Sequence, residues 1–528
     1  MRVLERELNC LMKHSKEQQI AIDHVDGPMM VLAGPGAGKT TVITHRVKKL
    51  IEKEGVNPAQ ILVVTFSKAA AVEMRERFEK ITGGRRLPVR FGTFHSLFFQ
   101  VLRNAYHYEA KDILSQRLKY RFLEEALMET EYDDIEDRSE FLEEIEKEIS
   151  RIKGEGIEVE NYYSASCPEA IFRQIYEGYQ SRVQKNHYLD FDDMVCYTYE
   201  LFRARPDILA GWQKRFRYIL IDEFQDINRL QYATIQMLAQ PENNLFIVGD
   251  DDQSIYGFRG AQPSIMLNFK KDYPSAKEIY LSTNYRSCRG IVSIADRLIQ
   301  NNKMRFKKDF IAFKKEKGQI EYIEGETKEE QLYKVYNKIQ TLLNNGADPN
   351  TIAVLYRTNK EAEAMANYFL GHNIPFYSNE KIPNKYEHWL FYDIKAYYNL
   401  ANHKVKEKVD IARVINHPNR YLNHYRYILS GLDQSKMRKV AYETCQKQWL
   451  RNNALDQITN FLYLLSQLKD IPPTDFLRKL YGVGGYKKYL KDYAEFRNVP
   501  IDELENIWME YVKDAEKYND WKAWSIYI

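Results

Sequence analysis

A chain of 528 residues is too long for one hydrophobic core, so several domains are expected. Hydrophobic residues make up 44% and charged residues 29%, which excludes wholesale disorder. The formal charge of +3 gives no chain-wide attraction to a polyanion, so any nucleic-acid groove has to be local. The five cysteines (Cys10, Cys167, Cys196, Cys288 and Cys445) form no C-x-x-C pair and no Cys/His cluster of zinc or iron–sulfur spacing. There is no run of about 18 apolar residues and no apolar stretch at the N-terminus, so the expectation is a cytoplasmic protein with reduced thiols. Aromatic residues reach 13%, with 39 tyrosines; most are read as packing, and only rings inside a motif count as candidates for base stacking.

In chain order, residues 27–80 alternate strand and helix. An apolar strand over 28–33 is followed by a Gly-rich turn, a helix, a β-rich run over 61–65 and a second helix, the βαβ pattern of a parallel sheet. Residues 101–188 are helical in pattern and rich in Glu and Lys, with apolar positions every three to four residues, as in a helical segment inserted into the sheet domain. Further strands are expected at 218–221 and 245–248, each running into acidic residues, and a second α/β stretch from about 279 to 377 carries strand signals at 320–323 and 352–356. Beyond about residue 382 the chain becomes helical and Tyr-rich.

Three runs carry chemistry. Ala33-Gly-Pro-Gly-Ala-Gly-Lys-Thr40 is a Walker A loop between strand and helix, whose small residues let backbone N–H groups wrap a polyphosphate at a helix N-terminus. Lys39 suits the β- and γ-phosphates and the Thr40 hydroxyl suits Mg²⁺. Tyr218-Ile-Leu-Ile-Asp-Glu-Phe-Gln-Asp226 is an apolar strand delivering two carboxylates. Alone they would be a solvated turn; with the Walker loop, Asp222 becomes a metal ligand and Glu223 a general base. The run from Phe246 to Ala261 joins a strand, an acidic turn, an amide at Gln253, two rings and Arg259, which suits a device coupling phosphate chemistry to a nucleic-acid strand.

The order of these motifs resembles the UvrD/Rep/PcrA-type helicases of superfamily 1, over residues from about 14 to 425. Ser15-Lys-Glu-Gln18 is similar to the family's glutamine motif, which implies Gln18 at the adenine edge. Val64-Thr-Phe-Ser-Lys and Gly92-Thr-Phe-His95 resemble DNA-contacting motifs, implying Thr65, Phe66, Thr93, Phe94 and His95 as DNA-binding residues, and Leu189-Asp-Phe-Asp-Asp-Met194 resembles the next. The run at 246–261 resembles motif III, implying Gln253 as a γ-phosphate sensor, Tyr256 and Phe258 as stacking rings, and Arg259 as a link between nucleotide state and DNA grip. Leu281-Ser-Thr-Asn-Tyr-Arg-Ser287 resembles motif IV, implying Tyr285 on adenine and Arg286 on the γ-phosphate. The implied nucleotide pocket is thus Gln18, Ala33, Gly34, Pro35, Gly36, Ala37, Gly38, Lys39, Thr40, Thr41, Tyr285 and Arg286. Its catalytic set is Lys39, Asp222, Glu223, Gln253 and Arg286, with Thr40 and Asp222 on Mg²⁺. Residues 352–359 look like a further family strand and Val414-Ile-Asn-His-Pro-Asn-Arg420 like a marker of an inserted helical domain.

The resemblance implies an α/β fold of two RecA-like P-loop domains, the second incomplete, with inserted helical domains. The first domain (1A) is expected at 1–92 and 190–280, helical insertion 1B at 93–189, a partial second domain (2A) at 281–383 and helical insertion 2B at 384–528. Motif Ia is one polar residue short, which predicts an altered turn. Neither motif V nor the arginine-finger motif VI is found after Arg420, so a C-terminally truncated motor is expected, with an unpaired sheet edge. The favoured function is an ATP- and Mg²⁺-dependent 3′–5′ DNA helicase or translocase acting on single-stranded and partly duplex DNA. The alternative is a nucleotide-gated single-strand DNA binder with little ATPase. No nuclease carboxylate cluster is present, so a nuclease, like a repair protein, would have to be a separate partner; the stacking residues do not distinguish RNA from DNA.

Overall fold

Runs such as Met29–Ala33, Ile61–Thr65 and Leu245–Gly249 have no polar residue to turn toward water except at their ends, so as strands they are stable only in a sheet covered on both faces. The computed structural model contains that sheet. Its strands are β1 (Met29–Ala33), β2 (Ile61–Thr65), β3 (Arg90–Thr93), β4 (Tyr218–Ile221), β5 (Leu245–Gly249) and β6 (Lys277–Leu281), in the order β3-β2-β4-β5-β1-β6 with every pairing parallel. The residues described are 14–130, 132, 135, 138–257, 260–372, 374–378, 385–403, 407–422, 427, 429–497 and 500–527, and the chain divides into two compact units at 321/322.

In the first unit, alternate side chains of each strand enter two separate cores, as the two-residue strand period requires. Met30, Leu32, Leu62, Val64, Ile219 and Ile247 point to one face, and Met29, Val31, Ile61, Val63, Leu220 and Val248 to the other. The second face is closed by α1 (Lys16–Asp23), α2 (Lys39–Glu52) and α3 (Lys68–Ile81), through Ile22, Val42, Ile43, Val47, Met74 and Phe78. Helix α4 (Phe94–Tyr106) closes the first face through Leu97, Phe98, Val101 and Leu102. Helices α5 (Gln116–Met128), α6 (Arg138–Glu155) and α7 (Glu169–Lys185) form a body with its own core of Leu123, Ile145, Ile149, Phe172 and Ile175. α8 (Phe191–Ala204) returns to the sheet.

One buried ionic cluster fastens the helical body to α8. Lys153, 3% exposed in its side chain, sends its ammonium to Asp190 Oδ2 (2.8 Å), Asp193 Oδ1 (2.7 Å) and Gln180 Oε1 (3.1 Å). Asp190 also caps α8, accepting from the Asp193 backbone N–H at 2.6 Å, and accepts from the Tyr179 hydroxyl at 2.8 Å.

Two expected strands are corrected. Residues 320–323 and 352–356 form no ladder among the described residues, and Ile320, Tyr322 and Leu355 are 54%, 88% and 94% exposed. Apolar alternation supplies only a side-chain pattern; a strand also needs a neighbour for its backbone groups. Among the described residues, the strands formed after β6 are β7 (Thr283–Cys288) and β8 (Ile311–Lys314), paired in parallel.

The second unit is helical, apart from turns, over its described residues. A small core of Ile339, Phe369 and Ile374 joins helices Lys328–Asn344 and Asn359–Gly371. A larger core between Tyr386 and Trp524 is built on rings, including Tyr397, Tyr486, Trp508, Tyr511 and Trp524. The marker run 414–420 proves to be a clasp. Arg420 Nη1 donates to the carbonyls of Val414 (2.9 Å), Ile415 (3.0 Å) and Pro418 (3.1 Å), and Nη2 to the Tyr397 hydroxyl (2.8 Å). Asp393, fully buried, meets Arg413 (2.8 Å), His417 (2.9 Å) and the Tyr486 hydroxyl (2.9 Å). The four described cysteines are all free thiols, and no helix among the described residues is long and apolar enough to cross a membrane.

Removing Lys153 strands two buried carboxylates, so Lys153→Met is expected to cost about 3–5 kcal/mol in urea unfolding followed by circular dichroism. Lys111→Met, which breaks a surface pair with Glu109, should leave the midpoint unchanged.

Candidate nucleotide site and adjoining aromatic surface

Because the strands are parallel, their carboxyl ends, and the loops that follow them, lie along one edge. Leu32 is in register with Gly249, Ala33 with Leu281, Val64 with Ile221 and Thr65 with Thr93. The Walker loop, Asp222–Glu223, the Asp250–Gln253 turn and the Phe66 turn therefore converge. They line a cavity of about 710 Å³ together with Tyr256, Tyr285 and Arg286.

Within it the Lys39 ammonium pairs with Glu223 Oε2 at 2.6 Å. Glu223 takes a left-handed backbone conformation (φ 51°) at the end of β4, which turns the chain into the site. Asp222 is buried and its Oδ1 has no hydrogen-bond partner; Oδ1 of Asp226 is likewise unpartnered. Burial first, and then the neighbouring Glu223 charge, push the Asp222 carboxyl up to about 7 against the pull of Lys39. The same two causes raise Asp226 to about 6. Unpartnered hard oxygens beside a lysine and a threonine hydroxyl fit a small divalent cation, with Asp222 and Thr40 as the protein donors.

The Walker loop is held from two sides. Gln18 caps α1 in a reciprocal box with Ser15, and its Nε2 donates to the Ala37 carbonyl at 2.9 Å. From β7, Asn284 Nδ2 donates to the Pro35 carbonyl at 2.7 Å and the Tyr285 N–H to the Gly36 carbonyl at 3.0 Å. Gly36 sits at φ +67°, and a Cβ there would come within 2.7 Å of the Arg286 Cβ, so two constraints require glycine. Ala33 ends β1, Gly34 is buried, and Thr40 and Thr41 lie in the first turn of α2, where their carbonyls accept from the Thr44 hydroxyl. Gly38 precedes α2 as its N-cap.

Gln253 follows an acidic turn, and its Nε2 donates to Asp250 Oδ2 at 2.7 Å. Asp250, Asp251 and Asp252 place carboxylate oxygens within 4.8 Å of one another. The charge between them is the ammonium of Lys308, paired with all three.

The DNA-facing candidates separate. Phe66 and Tyr256 come together with ring centroids 4.7 Å apart and planes at 30°, half-buried on the cavity wall. Thr65 is buried, its hydroxyl donating to the Ser67 carbonyl at 2.9 Å, and Ser67 caps α3, which is how the shortened motif Ia turn is closed. Thr93 caps α4. Phe94 is 6% exposed and packs on Phe98, so its ring belongs to the core. His95 packs edge-on to the exposed Phe191 ring at 5.4 Å, and burial, against the charges of Asp192 and Asp190, holds its imidazole below the usual value. Phe258 and Arg259 lie outside the described residues.

Sequence reasoning missed Gln225, Asn284 and Lys308. Gln225 stood inside a quoted motif. Its amide spans the site, donating to Glu223 Oε2 (3.0 Å) and Asp226 Oδ2 (3.2 Å) and accepting from the Asp250 N–H (2.9 Å). Lys308 belongs to no motif and acts 58 residues from Asp250, so nothing local announces it.

To ligate a cation the Asp222 carboxyl would have to lose its proton, and burial pushes it up to about 7. Protonated below that pH, it withholds a donor; ionised above, it supplies one. Divalent-cation affinity should therefore rise about tenfold between pH 6 and 8 and then level, with proton release on binding. Calorimetry in buffers of different ionisation enthalpy measures both, and Asp222→Asn should flatten the profile.

The chain is similar in sequence to known proteins. A family model for the UvrD/REP helicase N-terminal domain matches residues 14–274, and one for the UvrD-like helicase C-terminal domain matches residues 279–508. The chain is 35% identical over 484 residues to the Bacillus subtilis (strain 168) protein named "Putative ATP-dependent DNA helicase YjcD", covering 90% of this chain and 63% of that protein. It is 32% identical over 463 residues to the ATP-dependent DNA helicase PcrA of Staphylococcus aureus (strain Mu50), covering 84% of this chain and 59% of that protein. For PcrA of Staphylococcus epidermidis the identity is 31%, covering 85% and 61%. This chain thus spans about three-fifths of the length of the curated relatives it matches. With an N-terminal and a C-terminal family model matched in succession along it, the chain belongs to the UvrD/REP helicase family.

Proposed function

We propose that the chain is an ATP-hydrolysing motor that travels 3′ to 5′ on single-stranded DNA and separates strands. The observation that carries this reading is one cavity of about 710 Å³ that joins the Lys39–Glu223 pair and the unpartnered Asp222 oxygen to the Phe66–Tyr256 ring pair. Phosphate chemistry and a base-stacking surface share walls, so a change in one is felt by the other.

In this reading the backbone of residues 33–41 cradles the phosphates at the N-terminus of α2. An incoming polyphosphate competes with Glu223 for Lys39, and Glu223, released from the lysine, accepts a proton from the attacking water. Thr40 and Asp222 would hold Mg²⁺, which supplies charge neutralisation at the phosphate oxygens. Gln253 exchanges its bond to Asp250 for one to the γ-phosphate, and Arg286, exposed at the cavity rim, adds positive charge. Tyr285 and Gln18 flank the base end of the nucleotide. Phe66 and Tyr256 stack on bases, with His95 and Thr93 further along the strand.

A second reading is a nucleotide-gated single-strand DNA binder with little turnover. It is favoured by the unpaired state of 320–323 and 352–356, because a sheet that is short of strands positions fewer transition-state groups. ATP hydrolysis with and without single-stranded DNA separates the two. Strong stimulation by DNA supports the motor; binding of both ligands with negligible turnover supports the gated binder.

Lys39→Ala is expected to abolish turnover, and hydrolysis at the wild-type rate would remove the phosphate-loop assignment. Tyr256→Ala should weaken single-strand binding by roughly 1–3 kcal/mol in fluorescence anisotropy; unchanged affinity would end the stacking role of that ring.

A further inference from the structure

We propose that Lys308 is a positioning residue that braces the Asp250–Gln253 turn, so that the amide of Gln253 can leave Asp250 for a nucleotide without the turn collapsing. The inference rests on the helicase reading above and deepens it. Asp250 is the hub of the turn. Its N–H donates to Gln225 Oε1 at 2.9 Å, its Oδ2 accepts from Gln253 Nε2 at 2.7 Å, and its Oδ1 accepts from Lys308 Nζ at 2.5 Å and from the Asp252 N–H at 3.3 Å. Lys308 is 0% exposed in its side chain, as is Asp250, and the same ammonium also reaches Asp251 and, at 2.9 Å, Asp252. Three successive carboxylates that lie almost out of water repel one another, and an internal cation is what lets them stay ionised together.

The strap that delivers this cation is fastened at more than one point. Arg305 forks onto both oxygens of Asp252 (2.7 and 2.6 Å), and the Phe306 N–H donates to Asp251 Oδ2 at 2.8 Å. Two residues beyond Lys308, the Phe310 ring lies against Gly34: a Cβ there would stand 1.9 Å from Phe310 Cε1. Ile311 then opens β8, paired with Thr283 of β7, and β7 carries the Asn284 that binds the Pro35 carbonyl. Residues 305–311 therefore tie the sensor turn, the phosphate loop and β7 into one assembly. Removing the Lys308 charge leaves Asp250 to hold Gln253 more tightly, or the turn to open. Either outcome disconnects nucleotide binding from the Tyr256 surface that follows three residues after Gln253.

The test measures coupling at equilibrium, so it does not depend on turnover. In the full chain, affinity for a non-hydrolysable ATP analogue with Mg²⁺ is measured by calorimetry, and affinity for a labelled single-stranded oligonucleotide by anisotropy, with and without saturating analogue. For Lys308→Met each separate affinity should stay within about threefold of wild type, while the analogue-induced change in DNA affinity falls at least about fivefold toward none. Gln253→Ala should lose the same coupling, and the double variant no more than either single. If Lys308→Met does not fold, Lys308→Met/Asp251→Asn keeps the wild-type net charge of the cluster while still depriving Asp250 of its ammonium, and it should also be uncoupled. Wild-type coupling in either variant overturns the inference, as does loss of nucleotide affinity in proportion to the loss of coupling, or additive loss in the double variant. A wild-type chain that binds neither ligand, or binds both without coupling, sinks the helicase reading and this inference with it; a coupled wild type matched by an equally coupled Lys308→Met sinks this inference alone.

Discussion

Parallel pairing of β1 with both β5 and β6 is the constraint on which the first unit depends. Parallel strands all end on one side, and each must be followed by a crossover that covers a face of the sheet. Covering both faces makes the inner strands β1, β2, β4 and β5 apolar along almost their whole length, which leaves polar chemistry to their ends. A phosphate loop after β1, two carboxylates after β4 and an acidic turn after β5 then meet without any further device. The convergence is a consequence of topology, and the side chains have only to be of the right kind.

What they meet in is a site dense with charge. Lys39 and Glu223 satisfy each other, Asp222 and Asp226 are left with unpartnered oxygens, and Gln225 bridges the two acidic segments with a single amide. Burial and like charge raise both aspartates, so protons compete with a cation for their oxygens. Nearby, Lys308 performs internally, for Asp250, Asp251 and Asp252, the neutralisation that a bound ion performs elsewhere. The same residue types thus serve two ends: an open set poised for a ligand and a closed set that only holds shape.

The second unit is stabilised differently. Its larger core is assembled from rings, and two of the hydroxyls those rings carry are used as internal fasteners, Tyr397 to Arg420 and Tyr486 to Asp393. Buried tyrosines bring apolar area together with a hydroxyl that must find a partner, so such a core is specific as well as large. This accounts for much of the abundance of tyrosine in the C-terminal part of the chain, and for a family marker run whose arginine binds carbonyls of its own loop.

The sequence by itself determined whatever depends on local spacing. The Walker loop, the Asp222–Glu223 step and the strands β1, β2, β4 and β5 are short-range patterns whose physics operates over a few residues, and the motif order along the chain was enough to name the family. Only the tertiary structure decided what depends on partners distant in the chain. It buried Phe94 in the core while bringing Phe66 and Tyr256 into contact, because exposure of a ring is settled by what packs over it. It left 320–323 and 352–356 without ladders, because a strand exists only with a neighbour to bond. And it placed Lys308 among three aspartates more than fifty residues away, because a buried charge is balanced by whichever chain segment the fold brings within reach, and no local pattern encodes that choice.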